Sequence, residues 1–131
     1  MFNSIVVGTD GSETATQAVR QAVDIAGKVG AKIELVSAYP DASAPGAGAP
    51  TVEGSLQDAA EIARAAGVGV ATHARQGDPA DAIIDVAEER GADLVIVGNK
   101  GMTGAKRFLL GSVPDKVSHH APCSVLIVRT T

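Results

Sequence analysis

Five short runs rich in β-branched residues alternate along this chain with longer Ala-rich segments whose apolar residues recur at helical spacing. Ser4-Ile5-Val6-Val7-Gly8 opens the series, followed by Lys32 to Ala38, Val68 to Ala74, Leu94 to Val97 and Val125 to Val128. These runs are apolar on both faces, so each strand has to be covered twice. Strands separated by helical crossovers run parallel. The sequence therefore predicts one α/β domain over residues 1–131, with an open parallel sheet and helices on both faces.

The connecting segments carry helix punctuation. Ser12 is placed to cap a helix with apolar positions Ala15, Ala18, Val19, Ala22, Val23, Ala26 and Val29, stopped by Gly30. Leu56, Ala59, Ala60, Ala63 and Ala66 form a second stripe, closed by Gly67. Asp78-Pro79 starts a third, because Asp accepts orphan N–H groups and Pro needs no donor in the first turn. Ser112 begins the last, with Asp115 three residues on in capping-box fashion and Pro122 beyond its end. Residues 40–51, PDASAPGAGAPT, have no periodicity and are predicted as a flexible surface loop reaching to about residue 54.

Composition narrows the function classes. The net charge is -4, and the aromatic residues are only Phe2, Tyr39 and Phe108, which argues against a nucleic-acid partner. No apolar run approaches the roughly 20 residues that span a bilayer, and the chain enters a strand without a secretory leader, so a soluble cytoplasmic protein without a membrane partner is expected. Cys123 is the one cysteine, and no Cys/His group has metal-site spacing.

In an open parallel sheet, ligands bind beyond the carboxyl ends of the strands at a topological switch point. Thr9-Asp10-Gly11-Ser12 and residues 98–112 share that edge. Gly98 and Gly101 allow close backbone approach, and Gly111-Ser112 lies at a helix start, where free N–H groups and the helix dipole favour an anion. Lys100, Lys106 and Arg107 add positive charge nearby. Asp10 is placed to accept from a ribose, and an adenine fits between the first two strands near Thr9 and Ala38. Each feature also has an ordinary structural reading: Ser112 with Asp115 as a helix cap, Gly98 as a strand end, Asp10 as the cap of the first helix in place of Ser12. Their co-location on one edge favours a ligand.

The spacing Gly98-x2-Gly101-x9-Gly111-Ser112 resembles the nucleotide-binding signature of the universal stress protein family. The resemblance extends to the opening IVVGTDGS, to Gly77-Asp78-Pro79 and to the tail HHAPCSVLIV. It implies the adenine nucleotide α-hydrolase-like fold, with a five-stranded parallel sheet in the order 3-2-1-4-5. It also implies a homodimer through the edge strand at residues 124–129. Carried over by position, Asp10 would hold the ribose, Thr9 and Ala38 the adenine, and Gly98, Gly101, Gly111, Ser112 and Val113 the phosphates of ATP, with or without Mg2+. Asn99, counted by the same resemblance among the nucleotide contacts, and Lys100 fill the first gap, where many ATP-binding members have a small residue followed by His or Arg. GNKGM followed by GSVP is closer to a mycobacterial-type branch in which cyclic AMP is bound.

Other motifs carry less. PGAGAP lacks the strand before it and the helix after it that a dinucleotide site needs, and no GxxxxGK[ST] element is present. Adjacent helical residues point about 100° apart, so His119-His120 is read as a solvated helix end. His73 is predicted to lie in a strand without an acidic partner, and Cys123 to be buried rather than nucleophilic. No nucleophile-base-acid set is found, so ATP hydrolysis is expected to be slow at most. The leading expectation is a stress-response regulator that binds ATP without fast catalysis. A cyclic AMP sink or sensor comes second, ahead of a slow ATPase or a nucleotide-free dimeric interaction module.

Overall fold

A computed structural model describes residues 2–39, 49–99 and 111–130. Its elements run β1 (Ser4–Gly8), α1 (Glu13–Val29), β2 (Lys32–Tyr39), α2 (Ala49–Ala65), β3 (Val70–Gln76), α3 (Pro79–Glu89), β4 (Leu94–Gly98), α4 (Ser112–His120) and β5 (Ser124–Val128). All strand pairs are parallel, in the order β3-β2-β1-β4-β5. The chain leaves β1 toward one side to reach β2 and β3, then returns to the other side of β1 for β4 and β5. The switch point therefore lies between the carboxyl ends of β1 and β4.

The alternation of side chains along each strand builds two cores. Ile5, Val7, Ile33, Leu35 and Ile96 face α1 and α2, where Val19, Ala22, Leu56 and Ala60 meet them. Val6, Val36, Val95 and Val97 face α3 and α4, against Ile83, Val86, Val113 and Val117. Fully burying each such Val, Leu or Ile contributes about 1.5–3 kcal/mol. Alanines on the helix faces let backbones approach the sheet, which is why so few aromatics suffice. Gly30 ends α1 in the left-handed conformation, φ 77°, and its N–H donates to Ala26 O.

Most element ends shift by one or two residues from expectation, and three differences have a clear physical cause. Helix α2 begins at Ala49, so residues 49–54, expected in the loop, are helical; residues 40–48 lie outside the described residues. Pro50 sits in the first turn, where no donor is needed, and Val52 packs on the core one turn before Leu56. Strand β3 starts at Val70 because the Val68 N–H still donates to Ala63 O, closing the end of α2. In α4 the N-cap is Gly111, with no side-chain cap, so the Ser112–Asp115 capping box is not formed.

Candidate nucleotide site

The carboxyl end of β1 is held by a chain of local hydrogen bonds. Thr9, only 1 % exposed, donates its N–H to Val36 O at 2.9 Å, and its Oγ1 accepts from Gly11 N at 3.1 Å. Asp10 Oδ1 accepts from Ser12 N at 2.9 Å, and Ser12 Oγ accepts from Ala15 N at 3.2 Å. Ser12 is thus the cap of α1, and Asp10 forms the turn before it. The Asp10 side chain is exposed, and its second carboxylate oxygen makes no hydrogen bond among the described residues. Gly11 has φ 81°, the left-handed region that favours glycine, and a Cβ there would also push against Ser55 Oγ of α2.

Across the switch point, β4 ends at Gly98. A Cβ added to Gly98 would meet Thr130 Cγ2 at 3.5 Å, ordinary contact, and its φ is not positive. Packing against the described residues therefore does not demand glycine there. Asn99 follows, and its backbone oxygen accepts from Gly111 N at 2.9 Å, which brings the start of α4 beside the end of β4. Ser112 is exposed and its hydroxyl makes no hydrogen bond among the described residues, while Val113 is buried. With Gly111 as cap, the first N–H groups of α4 have no acceptor inside the helix. By contrast, α1 and α3 are capped by the side chains of Ser12 and Asp78.

Among the described residues these ends line a narrow cleft, ≈ 20 Å³ in cavity volume and partly open to solvent. Gly8, Val97 and Gly98 form its floor, Thr14 and Ala15 of α1 one wall, and Val113 and Thr130 the other. Of the residues singled out in the sequence, Gly98 and Val113 line it. Gly8, Thr14 and Thr130 were missed; Thr130 reaches the cleft only because β5 pairs with β4. Thr9 instead lines a neighbouring polar recess with Gly11, Arg20, Ser55 and Asp58, between α1 and α2. Ala38 packs toward the α3–α4 layer, so the two residues expected beside an adenine lie toward opposite faces of the sheet. Gly101, Lys100, Lys106 and Arg107 lie outside the described residues.

Helix α4 is tied to α3 by Lys116, whose Nζ is 2.7 Å from Asp81 Oδ1 and 3.5 Å from Asp78 Oδ2. The hydrogen bond to Asp81 raises the Lys116 ammonium above its ordinary value. His119 and His120 are exposed in the last turn of α4, and the ring Nδ1 of His119 lies 2.9 Å from Asp115 O. Partial burial, reinforced by Asp93, raises the Cys123 thiol and so disfavours the thiolate nucleophile.

His73 corrects the sequence reading. It does have an acidic partner: Glu34 Oε1 lies 2.7 Å from its Nε2. The pair forms because β2–β3 register sets His73 beside Val36, next to Glu34 on the same face. A glutamate inside the apolar run Ile33-Glu34-Leu35-Val36 was the available signal.

A model of the universal stress protein family matches residues 1–129. A universal stress protein of Mycobacterium tuberculosis is 40% identical over 144 aligned positions, covering 99% of this chain and 98% of the relative. Among solved structures, a universal stress protein in complex with cyclic AMP superposes with TM-score 0.83 at 34% identity, covering 99% of both chains. The Archaeoglobus fulgidus universal stress protein in complex with dAMP superposes with TM-score 0.77 at 26% identity, covering 98% of both chains. Among the described residues no helix is long and apolar enough to cross a membrane.

Proposed function

This chain belongs to the universal stress protein family, and from that premise we propose that it is a regulatory protein that binds an adenine nucleotide in the cleft between β1 and β4. The observation that carries this reading is the pairing of Gly98 with the start of α4. There the helix offers N–H groups without a side-chain cap, beside a strand end where packing against the described residues leaves room for a side chain that is not there. Gly98, Gly101, Gly111, Ser112 and Val113 hold the phosphates. Asp10 uses its free carboxylate oxygen for the ribose, and Ala38, at the end of β2, borders the adenine; Thr9, 1 % exposed and turned to the opposite face of the sheet, holds the end of β1 in place.

ATP is the leading ligand, with binding rather than turnover as the role. Asp10 is engaged by the ribose and by Ser12 N, and no general base is assigned at the cleft. Glu34 and His73 are a hydrogen-bonded pair on the α3 side of the sheet, in β2 and β3, away from the switch point. A second reading, cyclic AMP in the same cleft, is favoured by the similarity to the cyclic AMP complex at 34% identity. Titration calorimetry with ATP plus Mg2+, with ATP alone and with cyclic AMP separates the two, and binding of none of them removes the reading altogether.

The assembly proposed is a homodimer through β5. That strand ends the sheet, and it carries the exposed Leu126. A bare apolar edge strand is a liability that pairing with a second copy removes. A cytoplasmic role in the stress response fits the family and is part of the same proposal.

A further inference from the structure

Asn99 was expected among the ligand contacts, and its hydrogen bonds point elsewhere. Its N–H donates to Val128 O at 2.8 Å, and its backbone oxygen accepts from Gly111 N at 2.9 Å. Its Oδ1 accepts from both Thr130 N at 2.9 Å and Thr130 Oγ1 at 3.1 Å. A backbone N–H can only donate, so the atom facing Thr130 has to be the amide oxygen, and both its lone pairs are used. One residue thereby fastens the end of β5, the second residue beyond it, and the N-cap of α4.

Thr130 is also a wall of the cleft and the nearest described neighbour of any side chain at Gly98. Gly111 N, held by Asn99 O, sets where α4 begins. Gly98 precedes Asn99 directly, so the hydrogen bond from Gly111 N to Asn99 O also sets how close Gly111 lies to Gly98. We propose that Asn99 is a positioning residue of the nucleotide cleft and not a ligand: its side-chain oxygen pins Thr130, and through that anchor it fixes Gly111 and the first N–H groups of α4 beside Gly98. The proposal rests on the nucleotide-binding reading for its functional consequence, though the clasp itself exists without a ligand. A side chain able only to donate at this position would leave the Thr130 N–H without its acceptor, and the neck between residues 99 and 111 would lose its tie to the sheet.

The test compares wild type, Asn99→Ala and Asn99→Asp by amide hydrogen exchange and by ATP calorimetry. In Asn99→Ala the Thr130 and Gly111 amides are expected to exchange about tenfold faster, and ATP to bind about tenfold more weakly. Asn99→Asp, which keeps the Oδ1 acceptor, is expected to restore protection at both amides. A purely local role would speed exchange at Thr130 and leave Gly111 as in wild type; that result overturns the proposal, as does unchanged ATP affinity in folded Asn99→Ala. Asn99→Leu, similar in size and without polar atoms, replaces Asn99→Ala if the latter does not fold. If wild type binds neither ATP nor cyclic AMP, the functional reading falls by itself, and the Gly111 exchange rates still decide the clasp.

Discussion

His73 Nε2 lies 2.7 Å from Glu34 Oε1, and the Glu34 side chain is 1 % exposed beneath α3. Arg90 Nε reaches the same oxygen at 3.2 Å, and Lys32 Nζ approaches the other at 3.6 Å. The carboxylate is buried while two of its cations stay in contact with water, at 44% and 52% exposure. The cost of breaking this group is therefore asymmetric.

Removing the charge of Glu34 frees cations that can be solvated, whereas removing Arg90 strands a buried carboxylate with one fewer partner. Arg90→Leu is expected to destabilise by about 2–3 kcal/mol, below the 3–5 of a fully buried pair because Arg90 is half exposed. Glu34→Gln, which keeps the volume and an acceptor, is expected to cost about 1 kcal/mol. Urea unfolding at pH 7 measures both, and the reverse order would contradict the asymmetry.

Asp93 bolts the start of β1 to the start of β4. It accepts from Asn3 N at 2.9 Å and 3.1 Å and from Ser4 N at 3.1 Å. The bond from Asn3 is the main cause that lowers its carboxyl below the ordinary 3.8. A lowered folded value means the carboxylate stabilises the fold above that ordinary value, and the contribution disappears as pH falls through the folded one. Asp93→Asn is expected to be less stable than wild type at pH 7, with the gap narrowing as pH drops below about 4. A gap that stays constant down to pH 2 in denaturant titrations would exclude this role.

Two serines that look alike in sequence are expected to separate. Ser12 accepts from Ala15 N and caps α1, so Ser12→Ala is expected to cost about 1 kcal/mol. Ser112 is exposed inside the first turn of α4 and caps nothing, so Ser112→Ala is expected to change stability by less than about 0.5 kcal/mol. Its effect is expected in ATP affinity, a loss of about three- to tenfold, as for one hydrogen bond. Thermal unfolding and calorimetry on both variants provide the comparison. A stability loss in Ser112→Ala equal to that in Ser12→Ala would return Ser112 to a capping role.

Leu126 is 38 % exposed on the edge strand β5. Leu126→Glu is expected to shift the protein from dimer to monomer in sedimentation equilibrium, since a charge would be buried in the pairing surface. Wild type that sediments as a monomer at high concentration would remove the β5 dimer.

The sheet was legible from sequence because its signals are local and redundant. Val6, Val95 and their neighbours form runs apolar on both faces, and Ser12, Asp78 and Gly30 mark helix ends by mechanisms that need no tertiary context. The start of α2 was obscured because Pro50 and Gly54 suggest a loop, whereas Val52 and Leu56 form a stripe that the core rewards. The Gly98–Gly111 edge was found through spacing. Thr130 and the Glu34–His73 pair were not, because strand register brings them into place and no window along the chain contains it.

The central claim is that the β1–β4 cleft holds an adenine nucleotide against Gly98, and calorimetry of wild type and Gly98→Ala tests it most directly. Among the described residues the added methyl meets only ordinary contact, with Thr130, so the variant is expected to fold with stability within about 1 kcal/mol of wild type. Wild type is expected to bind ATP or cyclic AMP at one site per chain, and folded Gly98→Ala to bind at least about tenfold more weakly because the methyl occupies the ligand's closest approach. No binding by wild type, or equal binding by the two proteins, would contradict it.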